Sequence, residues 1–205
     1  MDPAAVGNGL ARLRLHTVIC STRPGRVGEP IANWFHAAAQ AHNRFDARLV
    51  DLAALNLPIY DEPRHPRLAQ YEHEHTRRWS ASVAAADAFV FVTPEYNYGP
   101  PPALLNALNY VYNEWNYKPA GFVSYGGMSG GIRAVLAGKM TLNTLKMVPI
   151  LEGVAIPMVA QHVANGIFTP NEIMQSSAKV MLDELFRWTA ALKPLRSEQA
   201  AESAR

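Results

Sequence analysis

Apolar and polar residues along this chain alternate between two periods. Apolar runs of strand length at residues 15–20, 47–52, 88–93, 121–125 and 155–161 are separated by stretches whose apolar residues recur every three or four positions. Ile31, Trp34, Phe35 and Ala38 form the first such stripe, with Pro30 tolerated in its opening turn. A proline-containing connector at 58–66 precedes a second, carried by Leu68, Tyr71, His75, Trp79, Ser82 and Val83. Helices are predicted over 103–115 and 132–146, and a last one begins at Thr169-Pro170-Asn171-Glu172, a capping-box spacing with proline at the first helical position. Its stripe of Ile173, Val180, Met181, Leu185, Trp188 and Leu192 is expected to face a sheet. Strands alternating with helices predict a doubly wound parallel sheet. Trp34, Trp79 and Trp188 fall on apolar stripes and are expected in the core. Trp115, with Tyr110, Tyr112 and Tyr117, makes a dense aromatic cluster that fits either core or a subunit contact, and the enrichment of such residues at interfaces favours the latter.

A chain of 205 residues, 49% apolar, suffices for one α/β domain, expected over 13–195 with mobile tails at 1–12 and 196–205. No apolar run reaches the roughly 18 residues of a membrane span, and the first residues lack the apolar segment of a signal peptide, so a cytoplasmic protein without a membrane partner is expected. Cys20 is the one cysteine; it cannot form an intrachain disulfide, and a redox function would need a cofactor. A net charge of +2, with the basic residues scattered, argues against nucleic acid and leaves small anions as ligands.

Three loops carry the candidate chemistry. In a flavodoxin-like strand order, 2-1-3-4-5, strands 1, 3 and 4 are contiguous and ligands bind beyond their carboxyl ends. After strand 1 come Ser21, Thr22, Arg23, Pro24, Gly25, Arg26, Val27 and Gly28: hydroxyls, guanidiniums and glycines at the start of a helix, which suit a phosphate. After strand 3 come Pro94, Glu95, Tyr96, Asn97, Tyr98, Gly99 and Pro100, a rigid turn able to present its backbone to a flat polar heterocycle. After strand 4, Gly126, Gly127, Gly130 and Gly131 allow close backbone approach to a ligand.

These stretches resemble the NADPH-dependent FMN reductase family of flavodoxin-like proteins, from about Leu15 to Leu192. The resemblance implies a five-stranded parallel sheet of order 2-1-3-4-5 with helices on both faces. It implies a phosphate loop of Ser21, Thr22, Arg23 and Arg26 with Val27 and Gly28, and a flavin ring bordered by Pro94, Glu95, Tyr96 and Asn97 and by Ser124, Tyr125, Gly126 and Gly127. Bound FMN, NADPH or NADH as co-substrate, ping-pong transfer to a quinone, flavin or other small acceptor, and a homodimer or tetramer follow from the same likeness. The phosphate loop departs from serine-richer relatives in its Arg-Pro-Gly-Arg-Val-Gly stretch.

Two other readings compete. Gly127-Met128-Ser129-Gly130-Gly131 spells the G-x-S-x-G of a nucleophile elbow, with Glu152 and His162 following in esterase order, but it gives the other two loops no role. An electron-carrier flavodoxin, usually acidic by resemblance, fits a mildly basic chain poorly. His73 and His75, two apart on a predicted helix, are expected on different faces and so not as a metal pair.

Overall fold

A computed structural model describes residues 12–203, with side chains as far as Arg196; all but Arg12 of the expected 1–12 tail lies outside the described residues. The elements run β1 (Leu13–Ile19), α1 (Gly28–Ala41), β2 (Phe45–Asp51), α2 (Leu52–Leu55), α3 (Glu74–Ala85), β3 (Ala88–Pro94), α4 (Pro102–Asn109), β4 (Pro119–Tyr125), α5 (Ile132–Thr144), β5 (Val148–Ile156), β6 (Val163–Ala164), β7 (Ile167–Phe168) and α6 (Glu172–Ser203). β1 to β5 form one parallel sheet in the order β2-β1-β3-β4-β5, as the sequence predicts.

The period-two rule divides the central strands between two cores. Ala88, Val90 and Val92 of β3 pack with Ile31 and Phe35 of α1 and Met181 and Leu185 of α6, whereas Phe89 and Phe91 face Trp79, Leu104, Leu108 and Leu142 of α3, α4 and α5. Because β3 and β4 are buried along their whole length, they read as continuous apolar runs.

At the amino end of the sheet, Asp87 accepts the Arg14 backbone N–H at 2.9 Å and pairs with Lys193 at 3.2 Å and Arg196 at 2.8 Å, which ties α6 to β1 and β3. Beside it, burial and neighbouring cations hold Lys118 at a pKa of about 7, its ammonium donating to the carbonyls of Val83 and Ala84. His16, also buried, is lowered to about 4 by desolvation and by Arg48.

Several expectations need correction. The fifth strand is Val148–Ile156, not 155–161: Pro149, Glu152 and Gly153 interrupt its apolar pattern but are tolerated on an edge strand, and Pro157 ends it. The 103–115 helix stops at Asn109 and resumes only as a 3₁₀ turn over Asn113–Trp115. Trp115 folds back so that its indole N–H donates to the Leu108 carbonyl at 3.2 Å, a group that a continuing helix would have used for residue 112. It is fully buried against Trp79, Phe89 and Phe91, so it is core and offers no surface to a subunit contact.

Leu68 lies exposed in a separate 3₁₀ turn, and α3 begins only at Glu74. His73 therefore precedes the helix, and its ring stacks on His75 at 5.1 Å instead of pointing to a different face; both imidazoles meet Asp61. On α6 the buried face is Met174, Ala178, Met181, Leu182, Leu185 and Thr189, while Ile173, Val180 and Trp188 are exposed. The cap is Asn171, whose Oδ1 accepts the Met174 N–H at 2.9 Å, not Thr169. The helix continues to Ser203, across most of the expected 196–205 tail.

Candidate functional site

The loops after β1, β3 and β4 emerge from three adjacent strands at the carboxyl edge, with Ile19 paired to Val92 and Pro94 to Tyr125. In the first, Ser21 is buried and its hydroxyl has no hydrogen-bond partner; the same holds for the hydroxyl of Tyr125. Both point at the start of α1. A Cβ on Gly28 would collide with the Ser21 hydroxyl and lie 2.5 Å from Tyr125 Oη, so only glycine brings the first helical turn this close. Val27, the N-cap residue, supplies no side-chain cap, which leaves the free N–H groups of a 14-residue helix facing the loop.

Thr22 and Arg23 are exposed, and Arg23 makes no ion pair among the described residues. Arg26 differs. Its guanidinium grips Asp51 through two bonds of 2.7 and 2.6 Å and donates to the Ser21 carbonyl at 2.7 Å, which braces the loop against the end of β2. Burial works against the Asp51 carboxylate, but Arg26 and the Ala53 N–H outweigh it and hold its pKa below the ordinary value. Arg23 is thus the accessible cation of the loop, with Arg26 as its internal strut.

The second loop is a two-residue turn. Tyr96 and Gly99 exchange backbone bonds of 2.9 and 3.0 Å across Asn97 and Tyr98, both left-handed at φ 48° and 69°. Glu95 donates its N–H to the Tyr125 carbonyl and turns its carboxylate beneath the third loop, where Arg133 pairs with it. That pairing, ahead of desolvation, keeps the Glu95 pKa low.

The third loop is held from inside. Ser124 donates to the Gly130 carbonyl at 2.8 Å, Gly130 and Gly131 are left-handed, and the residues after β5 bind the carbonyls of Gly126 and Gly127. Ser124 and Tyr125 are buried, whereas Gly127 and Met128 are exposed. Ser129 Oγ contacts Glu95 at 3.2 Å and Arg133 at 3.0 Å; no histidine is among its partners, and His162 packs near Phe168, so no esterase triad forms.

The three loops together offer an anion seat at one end and exposed loop backbone at the other. A cavity of about 320 Å³ adjoins Thr22, lined by Leu52, Asn56, Ala103 and Asn106. A larger one, about 600 Å³, sits between the connector and α4 and touches none of the three loops. Arg133 and Asp51 lie outside the three stretches that the sequence singles out. An acid ending β2 beside an arginine-bearing loop was a usable signal for Asp51; nothing distinguished Arg133 among 19 basic residues.

Comparison with known proteins agrees with this geometry. The family described as NADPH-dependent FMN reductase matches residues 13–161. An NAD(P)H-dependent FMN reductase of Schizosaccharomyces pombe is 38% identical over 160 residues, covering 71% of this chain and 80% of that protein. A quinone reductase of Pseudomonas putida is 35% identical over 98 residues, 45% of this chain and 51% of that one. Among solved structures, the flavoenzyme NAD(P)H:(acceptor) oxidoreductase FerB of Paracoccus denitrificans superposes with a TM-score of 0.71 at 21% identity, over 88% of this chain and 98% of that one.

Proposed function

The chain belongs to the NADPH-dependent FMN reductase family and is an oxidoreductase of FMN and NAD(P)H; from that premise we propose that it reduces quinones or other small acceptors by a ping-pong cycle, with FMN bound across its three loops. The observation that carries the placement is the buried, unpartnered Ser21 hydroxyl beside an uncapped helix start and a free Arg23, a donor set that fits a phosphate monoester.

Ser21, Thr22, Arg23 and the first N–H groups of α1 would hold the phosphate, with Arg26 shaping the loop around it. The turn at Asn97 and Tyr98 and the backbone of Gly126 and Gly127 would border the flat ring, and Pro94, Glu95, Tyr96, Ser124 and Tyr125 would support those edges from beneath. When bound, FMN supplies the two-electron chemistry by which NAD(P)H, a proton and a quinone become NAD(P)⁺ and a hydroquinone. The chain contributes position and backbone dipoles at the ring edge, and no side-chain nucleophile is needed.

Donor and acceptor would use one exposed ring face in turn, which is the reason for expecting ping-pong kinetics. A quinone acceptor is supported by the quinone reductase relative. A homodimer belongs to the same proposal; with Trp115 in the core, the supporting surface is α5, which exposes Ile132, Leu136 and Met140 one turn apart as it leaves the third loop. No helix among the described residues is long and apolar enough to cross a membrane.

The test is reconstitution of apoprotein with FMN followed by steady-state reduction of a benzoquinone. Stoichiometric flavin and parallel double-reciprocal lines are expected. Failure to bind FMN, or intersecting lines, refutes the corresponding part.

A further inference from the structure

Arg133 is not among the residues that the family resemblance assigns to the flavin site, yet it touches both loops that border the ring. Its Nε donates to Glu95 Oε1 at 2.7 Å and its backbone N–H to Glu95 Oε2 at 3.1 Å. Its Nη2 donates to Ser129 Oγ at 3.0 Å, and that hydroxyl donates to Glu95 Oε2 at 3.2 Å. The guanidinium carbon also stands 3.8 Å from the centroid of the Tyr98 ring, in cation–π contact. One cation therefore joins the tip of the second loop, the acid at its foot and the serine of the third.

The charges matter as much as the contacts. The Glu95 side chain is 8% exposed, and its carboxylate lies under the backbone that borders the ring. A carboxylate largely covered by its own loops gains from a partner, and among the described residues Arg133, its side chain 40% exposed, is the cation bonded to it.

The geometry points to Arg133 as a positioning residue of the flavin site, which fixes the spacing of the two ring-bordering loops and cancels the Glu95 charge, and thereby sets both the affinity and the reduction potential of bound FMN. The inference rests on the placement of FMN proposed above. Reduced flavin holds more electron density than oxidised flavin, so an uncompensated carboxylate nearby opposes the reduced form more strongly and lowers the potential. An arginine that served only as a loop brace would change affinity without that bias.

Four variants separate the possibilities: Arg133→Met, Glu95→Gln, the double substitution, and Arg133→Lys. FMN affinity is measured by fluorescence titration of apoprotein, and the two-electron potential by equilibration with a reference dye. Arg133→Met is expected to bind FMN several-fold more weakly and to lose about tenfold more affinity for the reduced than for the oxidised form, a fall of about 30 mV for a two-electron couple. The double variant, with no net charge left at the pair, should return to the wild-type potential while its affinity stays low. Arg133→Lys should retain the potential and recover part of the affinity.

A wild-type potential in Arg133→Met overturns the charge argument, and an equal fall in the double variant overturns it too, because the loss then comes from disorder. Unchanged FMN affinity in Arg133→Met overturns the spacing role. If Arg133→Met does not fold, the double variant against Glu95→Gln decides: Glu95→Gln alone should raise the potential, and no difference between the two refutes the inference. Wild-type apoprotein that takes up no FMN removes the placement itself, a result distinct from all of these.

Discussion

Gly131 is the residue of the third loop with least room for change. It is left-handed at φ 84°, and an added Cβ would lie 2.9 Å from the Tyr125 nitrogen and 3.0 Å from both the Tyr125 oxygen and Ser124 Cβ. Two of those neighbours are backbone of the central strand β4 and cannot turn aside. A left-handed conformation costs a non-glycine residue about 1–2 kcal/mol, and crowding a packed site about 1–3 kcal/mol. Gly131→Ala should therefore cost about 2–5 kcal/mol, or about 4–20 °C in melting temperature at about 2–4 °C per kcal/mol for a chain of this size. Gly127→Ala is the internal control: no atom lies within 4 Å of its Cβ position and its φ is not positive, so its effect should stay within about 0.5 kcal/mol. Scanning fluorimetry of the two apoproteins beside wild type reads both. If Gly131→Ala melts with wild type, or Gly127→Ala loses as much, the steric account of this loop is wrong.

Arg23→Ala should weaken FMN binding about 10- to 100-fold while the melting temperature holds, since a charge-assisted contact contributes about 1.5–3 kcal/mol; titration of apoprotein checks it. No histidine reaches Ser129, so wild type should show no ester hydrolysis that Ser129→Ala abolishes, as a p-nitrophenyl acetate assay would reveal. Trp115→Ala should destabilise the fold by about 3–5 kcal/mol as a core truncation, seen as a lower urea midpoint at every protein concentration; a concentration-dependent loss would return Trp115 to an interface. His16 has a folded pKa of about 4 against 6.5 as its ordinary value. The unfolded chain thus takes up the proton first, and this contribution to stability, complete above about pH 6.5, is lost as the pH falls toward about 4. Urea midpoints across that range should flatten in His16→Leu.

The sheet order and the three loops are legible because β3 and β4, buried on both faces, appear as apolar runs, and β1, though it carries His16 and Thr17, ends like them in an unusual turn. β5 was displaced because an edge strand tolerates proline, glycine and charge, which erases the pattern that reveals the inner strands. On α6 the buried face combines Met174, Met181, Leu182 and Leu185 with the small Ala178 and Thr189, which a pattern of bulky residues does not mark, while the bulky Trp188 is exposed. The short β6–β7 hairpin turns on Asn165-Gly166, both left-handed, a dipeptide typical of two-residue hairpin turns. In the site, residue types that bind phosphate were readable, but their allegiance was not. Arg23 and Arg26 look alike in a string, and only the neighbouring end of β2 shows that one of them is already held.

The Asp87 cluster bears on the order in which the chain can acquire its final form. Its carboxylate receives Arg14 from 73 positions earlier and Lys193 and Arg196 from 106 and 109 positions later. During synthesis the first partner is present when Asp87 emerges, and the other two arrive only with the last stretch of α6. Until then a carboxylate destined for burial stays partly compensated at the amino edge, while the three loops proposed to hold the cofactor lie at the opposite edge and are already made. A shortened chain ending before Lys193 would retain every loop of the site and still lack the latch that closes the sheet beneath it.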